Sequence, residues 1–215
     1  MKLQAGSIYR SNNCGDFVIV KDEGKTAVTV RFVDTGYEAV FQRSHVVRGT
    51  IKDRMHRSVL GIGYRGEGPF SGWENNKPTG AYIAWRGMLE RCYSSGYQAL
   101  RPTYTGCTVD PVWHNFQNFA EWYESNHKDG LHVDKDIKVD GNKVYSPKTC
   151  LLVSAEENNI KAHAKHYKLV SPSGVITNIY NMAEFARKNG LSDKNLSAVW
   201  LGKRKSHKGW TALAG

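Results

Sequence analysis

The sequence predicts an α+β fold in three successive parts. These are a small β-rich module over residues 1–70, a central part over residues 71–165, and a β-hairpin with two short helices over residues 166–215. Short β-branched and aromatic runs come first, apolar residues at helical spacing follow, and turn and cap residues mark the last part. A length of 215 residues suits one sizeable domain or two to three small ones.

The composition argues against two classes of protein. A hydrophobic content of 40%, with 11% aromatic residues, supports a packed core and argues against global disorder. No apolar run approaches the roughly 18 residues of a membrane span. The N-terminus MKLQAGSIYRSNNCG lacks the apolar stretch of a secretory signal. We therefore expect a cytoplasmic protein with no membrane partner.

The first part is typical of a small antiparallel sheet. The runs DFVIV, TAVTVRFV and YEAVFQR are separated by the turn sequences KDEGK and DTG. Arg31, Arg43 and Arg48 on this module either lie along a DNA duplex or form a solubilising surface. The segment GIGYRGEGPFSGWENNKPTG is rich in Gly and Pro, which predicts a loop or linker.

Two amphipathic helices are predicted in the central part. AYIAWRGMLERCY places Ile83, Met88, Leu89 and Cys92 near helical spacing, and PVWHNFQNFAEWYESNH does the same with its aromatic residues. Aromatic stripes of this kind pack in a core more often than they stack on bases. We therefore expect both helices to build the core of the central part.

The stretch LHVDKDIKVDGNKVYSPKTC predicts a hairpin that carries acidic side chains. LHVDKD alternates, so His132, Asp134 and Asp136 share one face of a strand. A turn region, the returning strand TCLLVS and the helical segment AEENNIKAHAKH follow. This is the order of a ββα-metal unit, in which an acid of the first strand and an Asn or His of the helix hold a hard divalent cation. Asp134 and Asn158 occupy those two places.

The last fifty residues predict a compact unit. KLVSPSGVITNI is a strand, a turn and a strand, NMAEFARKNG is a helix after an Asn cap, and SDKNLSAVWLGK is a second helix capped by Ser192. Two short helices joined by a tight turn suit a helix-turn-helix reader of DNA, and an unrelated helical hairpin with a basic tail is the alternative. The candidate DNA contacts are Lys194, Lys203, Arg204, Lys205 and Lys208.

The net charge of +10 is distributed unevenly. Residues 1–70 carry 11 basic against 7 acidic residues, residues 71–165 carry 11 of each, and residues 166–215 carry 8 against 2. Basic flanks around a neutral centre favour phosphate binding by the flanks and metal binding by the centre.

The cysteines are widely spaced and include no CxxC pair; they are Cys14, Cys92, Cys107 and Cys150. In a reducing compartment we expect thiols rather than disulfides. A composite structural Zn²⁺ site from Cys92, Cys107, Cys150 and a histidine is a weaker hypothesis, because strong zinc signatures contain close ligand pairs.

Four segments together resemble the HNH endonucleases of bacteriophages, many of which are homing enzymes. They are WRGMLERCY, GCTVDPVWHNFQNFAEWY, VDKDIKVDGNKVYSPKTC and LLVSAEENN. The likeness runs through residues 82–160. The ending SPSGVITNIYNMAEFARKNGLSDKNLSAVWLGKRKSHKGW, within residues 170–210, is similar to the modular DNA-binding repeat at the tails of these intron-encoded nucleases. The N-terminal segment looks like material from phage proteins of the same kind, though less closely.

The resemblance implies roles for individual residues. Asp134 matches the metal-binding acid that ends the first strand, Asn158 the helical metal ligand, and Asn142 the middle Asn that braces the loop. Lys135 stands where an HNH enzyme usually carries the histidine that acts as general base, and a lysine ordinarily keeps its proton at neutral pH. His132 lies on the same side of the strand as Asp134 and is a substitute base. Taken singly, Asp134 also suits a turn cap and Asn142 an ordinary turn.

These roles imply an enzyme of the host bacterial cytoplasm. It would be an endonuclease or nickase that hydrolyses double-stranded DNA with Mg²⁺ or Mn²⁺. The alternative is an inactive HNH-derived DNA-binding protein, acting as a phage regulator or an inhibitor of host machinery, and the lysine at position 135 favours it. A third hypothesis is a protein-binding inhibitor whose basic faces meet an acidic protein partner.

Overall fold

The structure is a computed structural model that describes residues 3–24, 26–127, 130–135, 138–139, 141–163 and 165–213. The fold is mixed α+β, as the sequence predicts. Within those ranges, none of the helices has both the length and the apolar character needed to cross a membrane.

The first part folds as an antiparallel sheet. Its strands are β1 (Ile8–Arg10), β2 (Asp16–Asp22), β3 (Ala27–Phe32) and β4 (Glu38–Gln42), in that order across the sheet, and α1 (Arg43–Val47) follows. Alternate side chains of β2 and β3 point inward, because successive residues of a strand face opposite sides. The buried ones are Phe17, Ile19, Val28, Val30 and Phe32, which give the sheet a core of its own.

Residues 61–80 form a packed loop that contains the short hairpin of β5 (Trp73–Glu74) and β6 (Lys77–Pro78). Ile62 and Phe70 of this loop pack against the central core, and so does Val59 just before it. The segment that the sequence predicted as a loop or linker is therefore fastened to the central part.

The central core lies between α2 (Gly80–Tyr93) and α4 (Phe116–Asn126), with α3 (Ser95–Leu100) beside them. The inward residues of α2 are Ala81, Trp85, Met88, Leu89 and Cys92. Ile83, expected on that face, is 58% exposed because it stands two residues, about 200° of helix, before Trp85. Trp113, expected in one helix with Phe116, lies in a 3₁₀ turn (Pro111–His114), and Asn115 caps the helix anew.

A strand, loop, strand and helix follow in the predicted order. The two strands are β8 (Leu131–Asp134) and β10 (Leu151–Ser154), and the helix is α5 (Ala155–His163). Two short strands accompany them: β7 (Thr108–Val109), which precedes α4, and β9 (Val144–Tyr145), which lies between β8 and β10. β8 and β10 pair antiparallel, with Asp134 opposite Leu151, and β9 pairs in parallel with β7. α5 begins directly after β10 and contacts both strands of the hairpin.

The last part combines two hairpins with two helices. The elements are β11 (His166–Val170), β12 (Ile176–Tyr180), α6 (Met182–Lys188), α7 (Asp193–Trp200), β13 (Ser206–His207) and β14 (Trp210–Ala212). Asn181 and Ser192 cap the two helices, as predicted. The basic segment after α7 returns to the sheet, because β14 pairs with β11. Leu169, Ile179, Leu196 and Val199 are buried between the sheet and the helices.

Candidate functional site

The hairpin of β8 and β10 has two different faces. Val133 and Leu152 pack against the central core. His132 and Asp134 alternate with Val133 along β8 and therefore point to the opposite face. His132 is exposed and Asp134 is half-buried. Positions two apart on a strand are about 6–7 Å apart, so both side chains can reach one phosphate group. Asp136, predicted on the same face, lies outside the described residues.

Asn142 joins the two ends of the loop that follows β8. Its Nδ2 donates to the carbonyl oxygens of Lys135 and Val144, each at 2.7 Å, and its Oδ1 accepts from the Val144 N–H at 3.1 Å. These bonds fix the backbone directly after Asp134. They are the contacts expected of a bracing residue, and the role of Asn142 in a nuclease site stays a prediction.

Lys135 lies on the core side of the hairpin rather than beside His132 and Asp134. It is only 8% exposed, and its Nζ lies 5.9 Å from the centroid of the Tyr145 ring. Arg91 of α2 lies 5.5 Å from the same ring, and its Nε donates to the Tyr145 hydroxyl at 3.1 Å. Position 135 therefore holds a buried cation near an aromatic ring.

Arg91 and Tyr145 were not among the predicted site residues, although they hold the loop on α2. Burial is the main cause that raises the pKa of Tyr145, so its hydroxyl keeps its proton at neutral pH. Arg91 stands three residues after Met88, on the inward side of α2, where an arginine needs a partner. An arginine at a core-facing helical position is the sequence feature that could have identified Arg91.

The start of α5 is fixed by a capping box. Ser154 donates through its N–H and its Oγ to the Glu157 carboxylate, at 2.8 and 2.9 Å, and the Glu157 N–H donates back to Ser154 Oγ at 3.1 Å. These bonds lower the pKa of Glu157. Asn158 follows directly and is exposed in the first turn of the helix.

The side chains of Asp134 and Asn158 fit a hydrated divalent cation. They offer carboxylate and carboxamide oxygens, which Mg²⁺ and Mn²⁺ prefer, and Mg²⁺ commonly keeps several waters beside one or two protein ligands. Across the described residues no His, Cys, Asp or Glu side chains come together in a group of three that could hold a metal.

The composite Zn²⁺ site is not supported. Cys92, Cys107 and Cys150 are buried in the central core, but the described residues bring no metal-binding group together there. Burial raises the pKa of Cys92 to about 12 and that of Cys150 to about 11, so both hold their protons at neutral pH. In the described chain none of the four cysteines forms a disulfide, and each packs as a small apolar side chain.

Two of the three candidate DNA-binding arginines of the first part, Arg31 and Arg43, have acidic partners. Arg31 donates to Glu38 at 2.7 and 2.9 Å, across β3 and β4. Arg43 donates to Asp22, and this bond lowers the pKa of that carboxyl. A DNA phosphate would have to compete with these carboxylates. Arg48 is exposed after α1.

The basic residues of the last part are exposed around α7 and the β13–β14 hairpin. They are Lys194, Lys203, Arg204, Lys205 and Lys208. Arg204 donates to the Ser206 carbonyl and to Asn195, and Lys208 donates to the Gly190 carbonyl, so these two also hold local structure. Neither residue donates to a carboxylate in these bonds, and Glu184 pairs with Lys188 at 2.7 Å. With 8 basic against 2 acidic residues, the last part stays strongly positive.

Comparison with known proteins gives limited information. No protein-family model matches the chain, and no curated protein matches it. A solved structure described as "DNA binding and cleavage by the HNH homing endonuclease I-HmuI" matches with 22% sequence identity and a TM-score of 0.23. The match covers 41% of this chain and 62% of that one, so the chain spans about three-fifths of that protein's length. A TM-score of that size does not establish a shared fold.

Proposed function

We propose that the protein is a divalent-metal-dependent endonuclease or nickase of double-stranded DNA, built on an HNH-like unit. The observation that carries this proposal is the β8–β10 hairpin followed directly by α5, with Asp134 at the end of the first strand and Asn158 in the first turn of the helix. The Asn142 bonds and the matching sequence segments support it.

Each residue has a separate task in this proposal. Asp134 and Asn158 would hold Mg²⁺ or Mn²⁺, which when bound polarises a phosphodiester and stabilises the charge that develops on its oxygens. His132, exposed on the same face as Asp134, accepts a proton from the attacking water. Asn142 keeps the backbone after Asp134 in place. The basic surface of the last part holds the duplex through its phosphates.

A second function is favoured by the position of Lys135. Its side chain lies on the core side, packed near the Tyr145 ring, and supplies no base on the face of Asp134. A protein that kept the hairpin, the helix and the basic surfaces without an effective base would bind DNA and not cut it. It would act as a phage regulator or as an inhibitor of host machinery.

The two functions are separated by incubating the protein with supercoiled DNA in Mg²⁺, Mn²⁺ or EDTA. The nuclease gives nicked or linear product with metal and none with EDTA. His132→Ala should then lower the cutting rate by about 10²-fold or more, as expected for loss of a general base. Salt-dependent binding without product, in the wild type and in Lys135→His, would leave the second function. If the wild-type protein binds no duplex DNA even at low salt, both functions are ruled out.

A further inference from the structure

A basic cleft lies between the packed loop and the segment after α1 that contains Lys52 and Arg54. Its cations are Lys52, Arg54 and Arg65, and its volume is about 370 Å³. Gly66 and residues 68–72 form its other wall. Phe116 and Gln117 also line it. Among the described residues that line the cleft, none is acidic. No function was predicted for this loop from the sequence.

Arg65 is held in place before any ligand arrives. Its guanidinium carbon lies 4.5 Å from the centroid of the Tyr82 ring, and its Nη1 lies so close to Gly72 that a Cβ there would meet it at 2.4 Å. Stacking on an aromatic ring leaves the edge of the guanidinium, with its N–H groups, open to an acceptor. A planar guanidinium in a fixed position suits two hydrogen bonds to one phosphate.

Lys52 and Arg54 are exposed on either side of the buried Asp53. The Asp53 carboxylate accepts from Thr35 Oγ1 at 2.6 Å and from the Met55 N–H at 2.8 Å, which directs it into the first part of the chain. In the described chain, none of the three cleft cations forms an ion pair with an acid. Their charge is therefore available, unlike that of Arg31.

Gln117 and the glycines shape the opposite wall. Gln117, only 8% exposed, accepts from the Phe70 N–H and donates to the Phe70 carbonyl, both at 2.9 Å. A Cβ at Gly68 would meet Gln117 Oε1 at 2.4 Å. Gly72 is buried, and within the described chain its N–H meets no protein acceptor.

We propose that this cleft binds a phosphate group of the DNA backbone. The proposal rests on the proposed function for the presence of duplex DNA, and it adds a second grip on the duplex besides the last part of the chain. Three unpaired cations, one of them the fixed guanidinium of Arg65, together with a glycine-rich wall favour a compact anion that carries full charge. A phosphodiester group has that size and chemistry.

The test compares two variants of the full chain with the same loss of charge. Lys52→Gln/Arg54→Gln removes two exposed cleft cations and leaves the packing of Arg65 intact. Arg86→Gln/Arg101→Gln, the control, removes two exposed arginines outside the cleft. Affinity for a 30-base-pair duplex is measured across a salt series. One lost phosphate contact should lower the salt slope by about 0.9 and weaken binding at 0.1 M salt about eightfold.

The outcomes separate this proposal from the proposed function. A cleft variant that loses slope and affinity while the control keeps both supports the cleft. Equal behaviour of the two variants, with the wild type binding DNA, overturns the cleft and leaves the proposed function standing. A wild type that binds no duplex at low salt overturns both. Titration with inorganic phosphate identifies a free-anion site: saturation by phosphate without any change in the DNA slope also overturns the proposal.

Discussion

Replacing Asn142 with alanine should loosen the loop between β8 and β9. The change removes the two 2.7 Å bonds to the carbonyl oxygens of Lys135 and Val144 and the 3.1 Å bond from the Val144 N–H. Each neutral hydrogen bond contributes about 0.5–1.5 kcal/mol net. Because the side chain is half-exposed, water replaces part of this. We expect the free energy of unfolding to fall by about 1–2 kcal/mol.

Asn142→Asp separates the donors from the acceptor. A carboxylate still accepts from the Val144 N–H but cannot donate, and its charge would face the carbonyl oxygens of Lys135 and Val144. We therefore expect it to destabilise the protein at least as much as alanine does.

Urea unfolding followed by tryptophan fluorescence measures both changes, with amide exchange at Val144 as a local reading. Asn126→Ala is the matched control, because Asn126 is exposed and donates one bond, to the Trp122 carbonyl at 2.7 Å. It should change the free energy of unfolding by less than about 0.5 kcal/mol. Equal urea midpoints and equal amide exchange at Val144 for Asn142→Ala and Asn126→Ala would contradict the bracing role of Asn142.

Three further outcomes are expected. Trp85→Ala should lower the free energy of unfolding by about 3–5 kcal/mol in urea, because the indole is fully buried and donates to the Trp113 carbonyl; a loss below about 1 kcal/mol would contradict this. Burial in the folded protein raises the pKa of Cys92 to about 12 and that of Cys150 to about 11, against 9.0 for an ordinary thiol. The contribution of the two thiols to the free energy of unfolding should therefore be complete below pH 9 and decline above it. Melting temperatures of Cys92→Ala/Cys150→Ala between pH 7 and 11 check this, and a decline as steep as that of the wild type would argue against it. Deletion of residues 166–215 should weaken duplex binding and leave a protein that melts cooperatively; aggregation would place the last part within a shared core.

Short-range sequence patterns predicted several of the helices and strands. Asn181 and Ser192 cap α6 and α7 with their own side chains, and the alternation of LHVD gives β8. Such features depend on neighbours within a few residues, so composition and spacing are enough to find them. The boundaries at residues 70 and 165 stay predictions, and Phe70 packs against the central core.

Contacts between residues far apart in the chain determine the environments of the charged side chains, and these contacts could not be predicted from the sequence. From the sequence, Arg31 could contact either DNA or solvent. In the structure β3 pairs with β4, which places Glu38 opposite Arg31. Lys135 was placed by a family pattern, but its environment depends on the Tyr145 ring, ten positions further along the chain. The basic cleft joins Arg54 and Arg65 across a turn that spacing alone does not specify. Charge in a sequence shows which ions are present, and only packing shows which of them remain unpaired.

Cleavage by Asp134→Asn, measured beside its duplex affinity, tests the nuclease most directly. Asparagine keeps the size of the side chain at the end of β8 and removes the charge that would hold a cation. We expect wild-type protein to nick or cut supercoiled DNA with Mg²⁺ or Mn²⁺, and Asp134→Asn to lose at least about 10²-fold in rate with unchanged affinity. Wild-type protein that leaves the DNA intact with either metal, or Asp134→Asn that cuts as fast as wild type, would contradict this expectation.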